Sequence, residues 1–236
     1  MPKALIAWSS GKDSAWALHE MRRDQRHEIV GALTTVTENF GRVSMHGVRE
    51  ELLLAQLDAA RLPPHVVRIP FPCPNDIYER KMAAAMEDAK AAGVSHVVFG
   101  DLFLEDIRAY REAQLAKVGM AAVFPLWQRP TKALAREMIA SGMQAHLVSI
   151  DLKNLPGEFA GRRFDESLIE SLPLGVDPCG ENGEFHTFVS AGPMFDREIG
   201  VRVGETVERD GFAFADLTPL VPAKAGTQTG FPLARE

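Results

Sequence analysis

Cysteine is scarce. The chain has two, Cys73 and Cys179, far apart in sequence, so no disulfide framework is expected. No Cys-x-x-Cys pair and no His/Cys cluster marks a zinc site. No run of 18 apolar residues occurs, and the N-terminus lacks a signal-peptide pattern. A cytoplasmic protein with no membrane partner is expected. Basic residues are outnumbered, 26 Lys+Arg against 32 Asp+Glu for a net charge of −6. The two signs are interspersed, which argues against DNA as a partner and against general affinity for nucleic-acid phosphates. Two common nucleotide-loop signatures are also missing. Lys12 is not preceded by a Gly at the spacing of the kinase-type loop, and no Gly-x-Gly-x-x-Gly fingerprint occurs. No internal repeat and no glutaminase-like region is visible.

What is present is a strand that turns through small residues into a helix. The apolar run Lys3–Trp8 leads into Ser9-Ser10-Gly11-Lys12-Asp13-Ser14, and a helix-like segment follows from Ala15 to Met21. Such a turn aims several backbone N–H groups and the positive end of a helix dipole at one point, which suits a phosphate chain. The bland alternative is a solvated, Ser-rich turn capping a helix.

The first 150 residues alternate between strand-like and helix-like patterns. Apolar runs fall at Ala4–Trp8, Ile29–Thr35, His65–Ile69, His96–Phe99, Ala121–Phe124 and Ala145–Ile150. Helical periodicity or capping signals mark Arg49–Ala60, Asn75–Ala92, Glu105–Val118 and Thr131–Ser141. Alternation of this kind predicts α/β architecture: a Rossmann-like parallel sheet with helices on both faces. Ligands of such sheets bind beyond the carboxyl ends of the strands, where the Ser9–Ser14 loop and Gly100-Asp101 both lie. After Ile150 the texture changes. Leu152–Arg163 is irregular, Phe164–Leu172 suits a short helix, and Glu198–Arg209 with Phe212–Leu217 reads as a hairpin turning at Asp210-Gly211. The expected organisation is a nucleotide domain over 1–150, a smaller β-containing lobe over 151–221, and a flexible tail over 222–236.

Two further blocks carry candidate chemistry. The first, Gly100–Glu112, brings Arg108 and Arg111 onto one helical face, and a guanidinium can hold a phosphate or carboxylate bidentately. Glu105, Asp106 and Glu112 could hold those arginines or a Mg²⁺ ion; the alternative is an exposed helix laced with ion pairs. The second, Cys179-Gly-Glu-Asn-Gly-Glu-Phe-His-Thr187, packs Glu181, Glu184 and His186 among glycines. A carboxylate there could take a proton from an amine nucleophile, and a histidine could shuttle one. Cys179 has no activating neighbour in sequence, and its chemical role is left open.

The Ser9–Ser14 loop looks like the Ser-Gly-Gly-x-Asp-Ser loop of the PP-loop ATP pyrophosphatases, with Ser10 where that family usually has Gly. Together the three blocks, with Phe124-Pro125-Leu126-Trp127, resemble the diphthine–ammonia ligase family of ATP-binding PP-loop proteins over about Pro2 to Leu217. The motifs are most similar to a bacterial-type subgroup. The resemblance implies an adenine nucleotide alpha hydrolase-like fold and an ATP-dependent amide-forming ligase. ATP adenylates a carboxylate with release of pyrophosphate, and ammonia displaces AMP. In named family members the carboxylate belongs to diphthine, a modified histidine of elongation factor 2. Eukaryotic members carry two arginines two apart in the middle block; here Tyr110 takes the earlier place and Arg111 the later, which leaves the acceptor open.

On this reading Ser9, Ser10, Gly11 and Ser14 donate to the β/γ-phosphates, Lys12 neutralises them, and Asp13 orients the loop or a Mg²⁺ ion. Gly100 and Asp101 border the α-phosphate or ribose. Arg108 and Arg111 grip pyrophosphate or the acceptor, and Glu181, Glu184 and His186 receive the acyl adenylate and guide the amine. The expected partners are ATP, ammonium, and a carboxylate-bearing small molecule or modified protein side chain; the oligomeric state, a homodimer included, is open. Two other readings stand beside it: an adenine-nucleotide sensor without turnover, and a tRNA-modifying PP-loop enzyme, which the acidic balance and scattered cysteines rank lower.

Overall fold

Alternate residues of the first strand point to opposite cores, and that alternation sets the layering. In β1 (Lys3–Ala7), Ala4 and Ile6 join one apolar cluster while Leu5 joins another. This is the period-two pattern of a strand buried on both faces. The computed structural model describes residues 1–220; the tail expected over 222–236 lies outside the described residues.

The first sheet contains β1, β2 (Glu28–Thr37), β3 (Arg42–Val43), β4 (Pro64–Ile69), β5 (Val94–Val98) and β6 (Ala121–Val123). β1 lies between β2 and β5, β4 pairs with β2 on its other side, and β6 pairs with β5; all these pairings are parallel. The short β3 is antiparallel to the end of β2. Helices α1 (Lys12–Asp24), α2 (Glu50–Ala59), α3 (Asn75–Ala91), α4 (Glu105–Lys117) and α5 (Thr131–Ala140) connect or follow these strands. The strand order reverses at β1, so the crevice between the carboxyl ends of β1 and β5 is the topological switch point. The α/β sheet with helices on both faces is as expected.

The second sheet is antiparallel, in the order β8 (Phe185–Ala191), β7 (Gln144–Asp151), β10 (Phe212–Pro219), β9 (Val201–Arg209). One expectation is corrected here. The run Ala145–Ile150, grouped by pattern with the parallel strands, is β7, the centre of the second sheet. Both of its neighbours come from later in the chain, and a single buried apolar run looks the same in either sheet. The expected short helix is α6 (Glu166–Ser171), capped by Asp165, whose carboxylate accepts the Leu168 N–H at 2.9 Å. The β9–β10 hairpin turns at Asp210 and Gly211, both with positive φ, as a two-residue turn requires.

The larger core lies between the two sheets. α1 buries Ala15, Trp16, Ala17, Leu18 and Met21 there, and α2 buries Leu52, Leu53 and Leu57. Each fully buried leucine contributes about 2 kcal/mol. On the opposite face of the first sheet, α3 buries only Met86 and Ala89, and α4 only Leu115. No helix among the described residues is long and apolar enough to cross a membrane.

Candidate functional site

β1 ends at Ala7, and Trp8 is tied to β2 through its N–H donating to Leu33 O at 2.7 Å. The chain then turns through Ser9-Ser10-Gly11 into α1. Gly11 caps the helix without any side-chain hydrogen bond, and of the first-turn amides Lys12 N is taken by Thr187 Oγ1 of the second sheet. Ser14 Oγ donates to Gly11 O at 3.0 Å and lies 3.3 Å from Ser9 Oγ. Gly100, at the end of β5, presses on this turn. A Cβ there would lie 2.7 Å from the Asp13 carbonyl carbon and 2.9 Å from Ser14 N. The close approach at Gly100 is therefore to the loop itself.

The loop opens into a cavity of about 470 Å³. Of the residues singled out from sequence, Ser9, Lys12, Asp13, Ser14, Gly100, Asp101, Arg111, Glu181 and His186 line it. Ser10, Gly11, Arg108 and Glu184 do not. Arg108 instead pairs with Glu112 at 2.8 Å, with its guanidinium 4.7 Å from the centre of the Trp127 ring. Arg111, one turn away, pairs with Asp101 at 2.8 Å over the face of Phe99. Glu184 is buried and braces its own loop, accepting from Asp177 N and Asn182 Nδ2, each at 2.9 Å. Asp177, missed by the sequence reading, shapes the same loop by accepting from Cys179 N and Glu181 N at 3.1 and 3.0 Å.

Lys12 is fully buried. Its ammonium donates to Asp13 Oδ2 at 2.9 Å and to the Cys179 carbonyl, with the rings of Phe185 and Phe164 5.3 and 5.7 Å away. Burial alone would lower its pKa, but Asp13 and the other nearby acidic groups hold it above the ordinary lysine value. Its backbone N–H donates to Thr187 Oγ1 at 3.0 Å. One residue thus fastens the Ser9–Ser14 loop to the glycine-rich loop of the second sheet. Asp13 Oδ1 is buried with no hydrogen-bond partner.

Glu181 accepts from Leu102 N at 2.7 Å. Burial, with Asp13 and Asp101 adding repulsion, outweighs that hydrogen bond and raises its pKa to about 7. His186 is held neutral, its pKa lowered to about 4 by burial and then by Lys12. It stacks on His46 with ring centroids 4.3 Å apart. Burial raises the Cys179 thiol, whose Sγ donates to Thr131 O at 3.3 Å. That is the environment of an inert, structural cysteine.

His46 lies on the cavity wall unannounced by the sequence. It stands between Met45 and Gly47, both with positive φ, and a Cβ on Gly11 would sit 2.9 Å from its Cε1. The Gly after His46 was the only local hint. The far wing of the cavity is apolar, lined by Tyr78, Met82 and Met86 of α3 and by Leu115 and Val118. Those positions read simply as helix core.

Residues 130–217 match the family described as the Diphthamide synthase C-terminal domain. Over 152 residues the chain is 32% identical to the diphthine–ammonia ligases of Homo sapiens and Rattus norvegicus, covering 61% of this chain and 55% of each relative. The Danio rerio diphthine–ammonia ligase is 30% identical over 158 residues, 65% of this chain and 60% of that one. The chain spans about half the length of the curated relatives it matches. The matched region includes β7 to β10 and the glycine-rich loop against which Lys12 is fastened. By these matches the chain is similar to the diphthine–ammonia ligases over 61% of its length, and its antiparallel lobe matches the diphthamide synthase C-terminal domain.

Proposed function

We propose that this protein is an ATP-dependent ligase that adenylates a carboxylate, releasing pyrophosphate, and then joins ammonia to the acyl group, releasing AMP. The observation that carries the reading is the Ser9–Ser14 turn: a helix start at the switch point, opening on a cavity, with an unpartnered carboxylate oxygen beside it. The relatives' name, diphthine–ammonia ligase, supports a carboxylate and ammonia as the joined groups.

The residue roles follow from position. Ser9, Ser14 and the Asp13 and Ser14 amides donate to the phosphate chain as negative charge develops on it. Arg111, oriented by Asp101, faces the cavity and takes pyrophosphate or the acceptor carboxylate. Lys12 holds the loop in place and lends it positive charge. A Mg²⁺ ion fits Asp13, whose Oδ1 has no other partner. No group of three acidic, histidine or cysteine side chains suited to a metal occurs among the described residues, so phosphate oxygens and water would complete the shell. When bound, the ion would offset phosphate charge. Glu181, poised near neutral pH, takes the proton from the attacking amine. The neutral His46–His186 pair walls the acceptor side, and the apolar wing between α3 and α4 suits a nucleobase.

The test is product analysis. Purified protein with MgATP, ammonium and a diphthine-bearing protein should yield AMP and pyrophosphate in step with amide. ADP as the product overturns the reading, and ATP bound without any turnover in the presence of varied carboxylates overturns it in favour of a nucleotide sensor.

A further inference from the structure

The turn that begins α1 contains a residue in the wrong conformation for its type. Ser10 has φ of +70°, a region that costs a residue with a Cβ of order 1–3 kcal/mol unless its surroundings hold it there. Its side chain does not help. Ser10 is fully buried, and its Oγ has no hydrogen-bond partner. The restraint comes through the carbonyl. Ser10 O accepts from Val189 N at 3.1 Å and from Gln56 Nε2 at 3.0 Å.

Gln56, on α2, is itself fully buried. Its Nε2 also donates to Val189 O at 2.6 Å, and its Oε1 accepts from Trp8 Nε1 at 3.1 Å. One amide therefore joins the end of β1, the apex of the Ser9–Ser14 turn and β8 of the second sheet. Its donors and its acceptor all meet partners, the condition under which a buried polar group rigidifies its surroundings. Reversing the Ser10 peptide would point its carbonyl away from both donors and leave them unpaired in the core, at substantial cost.

We propose that Gln56 is the positioning residue of this loop: by clamping the Ser10 carbonyl it holds the left-handed turn and so sets the start of α1, with Asp13 and Ser14, against the cavity. It touches no substrate and acts through Ser10. This deepens the nucleotide-binding reading above and rests on it for the ligand. The same clamp explains how serine is accommodated where the resembled loop usually has glycine.

The clamp predicts a specific rescue. Gln56→Met keeps the volume and removes the donor. It should weaken MgATP binding about tenfold, the scale of one strained-backbone cost expressed as affinity. It should also lower Tm, because Trp8 Nε1 and Val189 O lose their partner. Ser10→Gly deletes an unpartnered hydroxyl and tolerates positive φ, so it removes the strain that the clamp opposes. The double variant Q56M/S10G should recover most of the lost affinity while its Tm stays low, since glycine restores the turn but not the other hydrogen bonds. Titration calorimetry and thermal melts on the full chain read both quantities. A double variant that binds no better than Q56M overturns the proposal, as does Q56M binding that matches the parent. A crystal structure of nucleotide-free Q56M reads the clamp without any ligand. Ser10 displaced from its left-handed conformation supports it, and Ser10 unmoved overturns it. Absence of MgATP binding by the parent protein instead counts against the nucleotide reading, and that structure still decides the clamp.

Discussion

The two faces of the parallel sheet are built differently. On one, α1 and α2 are pressed between the two sheets and bury Trp16, Leu18, Met21, Leu52, Leu53 and Leu57 completely. On the other, α3 and α4 contribute three buried side chains between them, Met86, Ala89 and Leu115. The cavity takes its apolar wing and Arg111 from this thinly covered face, and Lys12 and Asp13 from the crowded one. A tightly packed face resists deformation and can hold a loop in a strained shape. A thinly covered face leaves room for a ligand. Division of labour between the faces is the lesson, and each of the following experiments probes it.

The largest effect is expected at the seam of the crowded face. Lys12→Met removes the buried ammonium that joins Asp13 to the Cys179 carbonyl, leaving a carboxylate without its partner. Stability should fall by about 3–5 kcal/mol, read by urea unfolding. A loss under about 1 kcal/mol would show that the seam is not what braces the loop. Next is Asp13→Asn, which keeps one acceptor oxygen for Lys12 but removes the negative charge. AMP formation should drop by about 10²–10³, while far-ultraviolet dichroism stays unchanged. Turnover near the parent rate would remove Asp13 from the reacting region.

Glu181 tests the wall itself. Its raised pKa means that the folded state holds its proton more tightly than the unfolded one. Its contribution to stability is therefore present below the ordinary carboxylate range and is lost as pH rises through about 7. Glu181→Gln should be more stable than the parent at pH 8 and indistinguishable at pH 4. Amide formation by the parent should rise through an apparent value near 7, and the variant should lose about 10²-fold and that rise together. A variant retaining the pH profile would assign the proton transfer to another group. The smallest effect belongs to the loosely covered face. Arg108→Ala breaks an exposed i,i+4 pair with Glu112 and should cost under about 1 kcal/mol, with AMP production unaltered, whereas Arg111→Ala should weaken it. Equal losses from both would put Arg108 back in the site.

Much of this was legible beforehand. The strand-turn-helix at Ser9–Ser14, the short helix α6 and the Asp210-Gly211 turn are local events, written in neighbouring residues. What pattern could not show was partnership. The β7 run reads alike in a parallel or antiparallel sheet. Arg108 and Arg111 share a helix face in sequence, yet only Arg111 reaches the cavity, because Phe124 and Trp127 draw Arg108 aside. Glu184 looked like chemistry and is a brace. His46 and Gln56 carry no motif, since their importance lies in residues 35 and 46 positions away, Gly11 and Ser10.

Sequence alone determined where the chain turns, which stretches bury which face, and that a turn of small residues leads from β1 into a helix. Those outcomes follow from short-range sterics, capping and periodicity. Only the tertiary structure decided which charged groups meet, how Lys12 stays charged in the interior, and what holds Ser10 in a left-handed turn. These depend on burial and on contacts between residues distant in the chain. Coulombic and hydrogen-bond energies are set by distance in space and local desolvation, and neither is encoded in the spacing of letters.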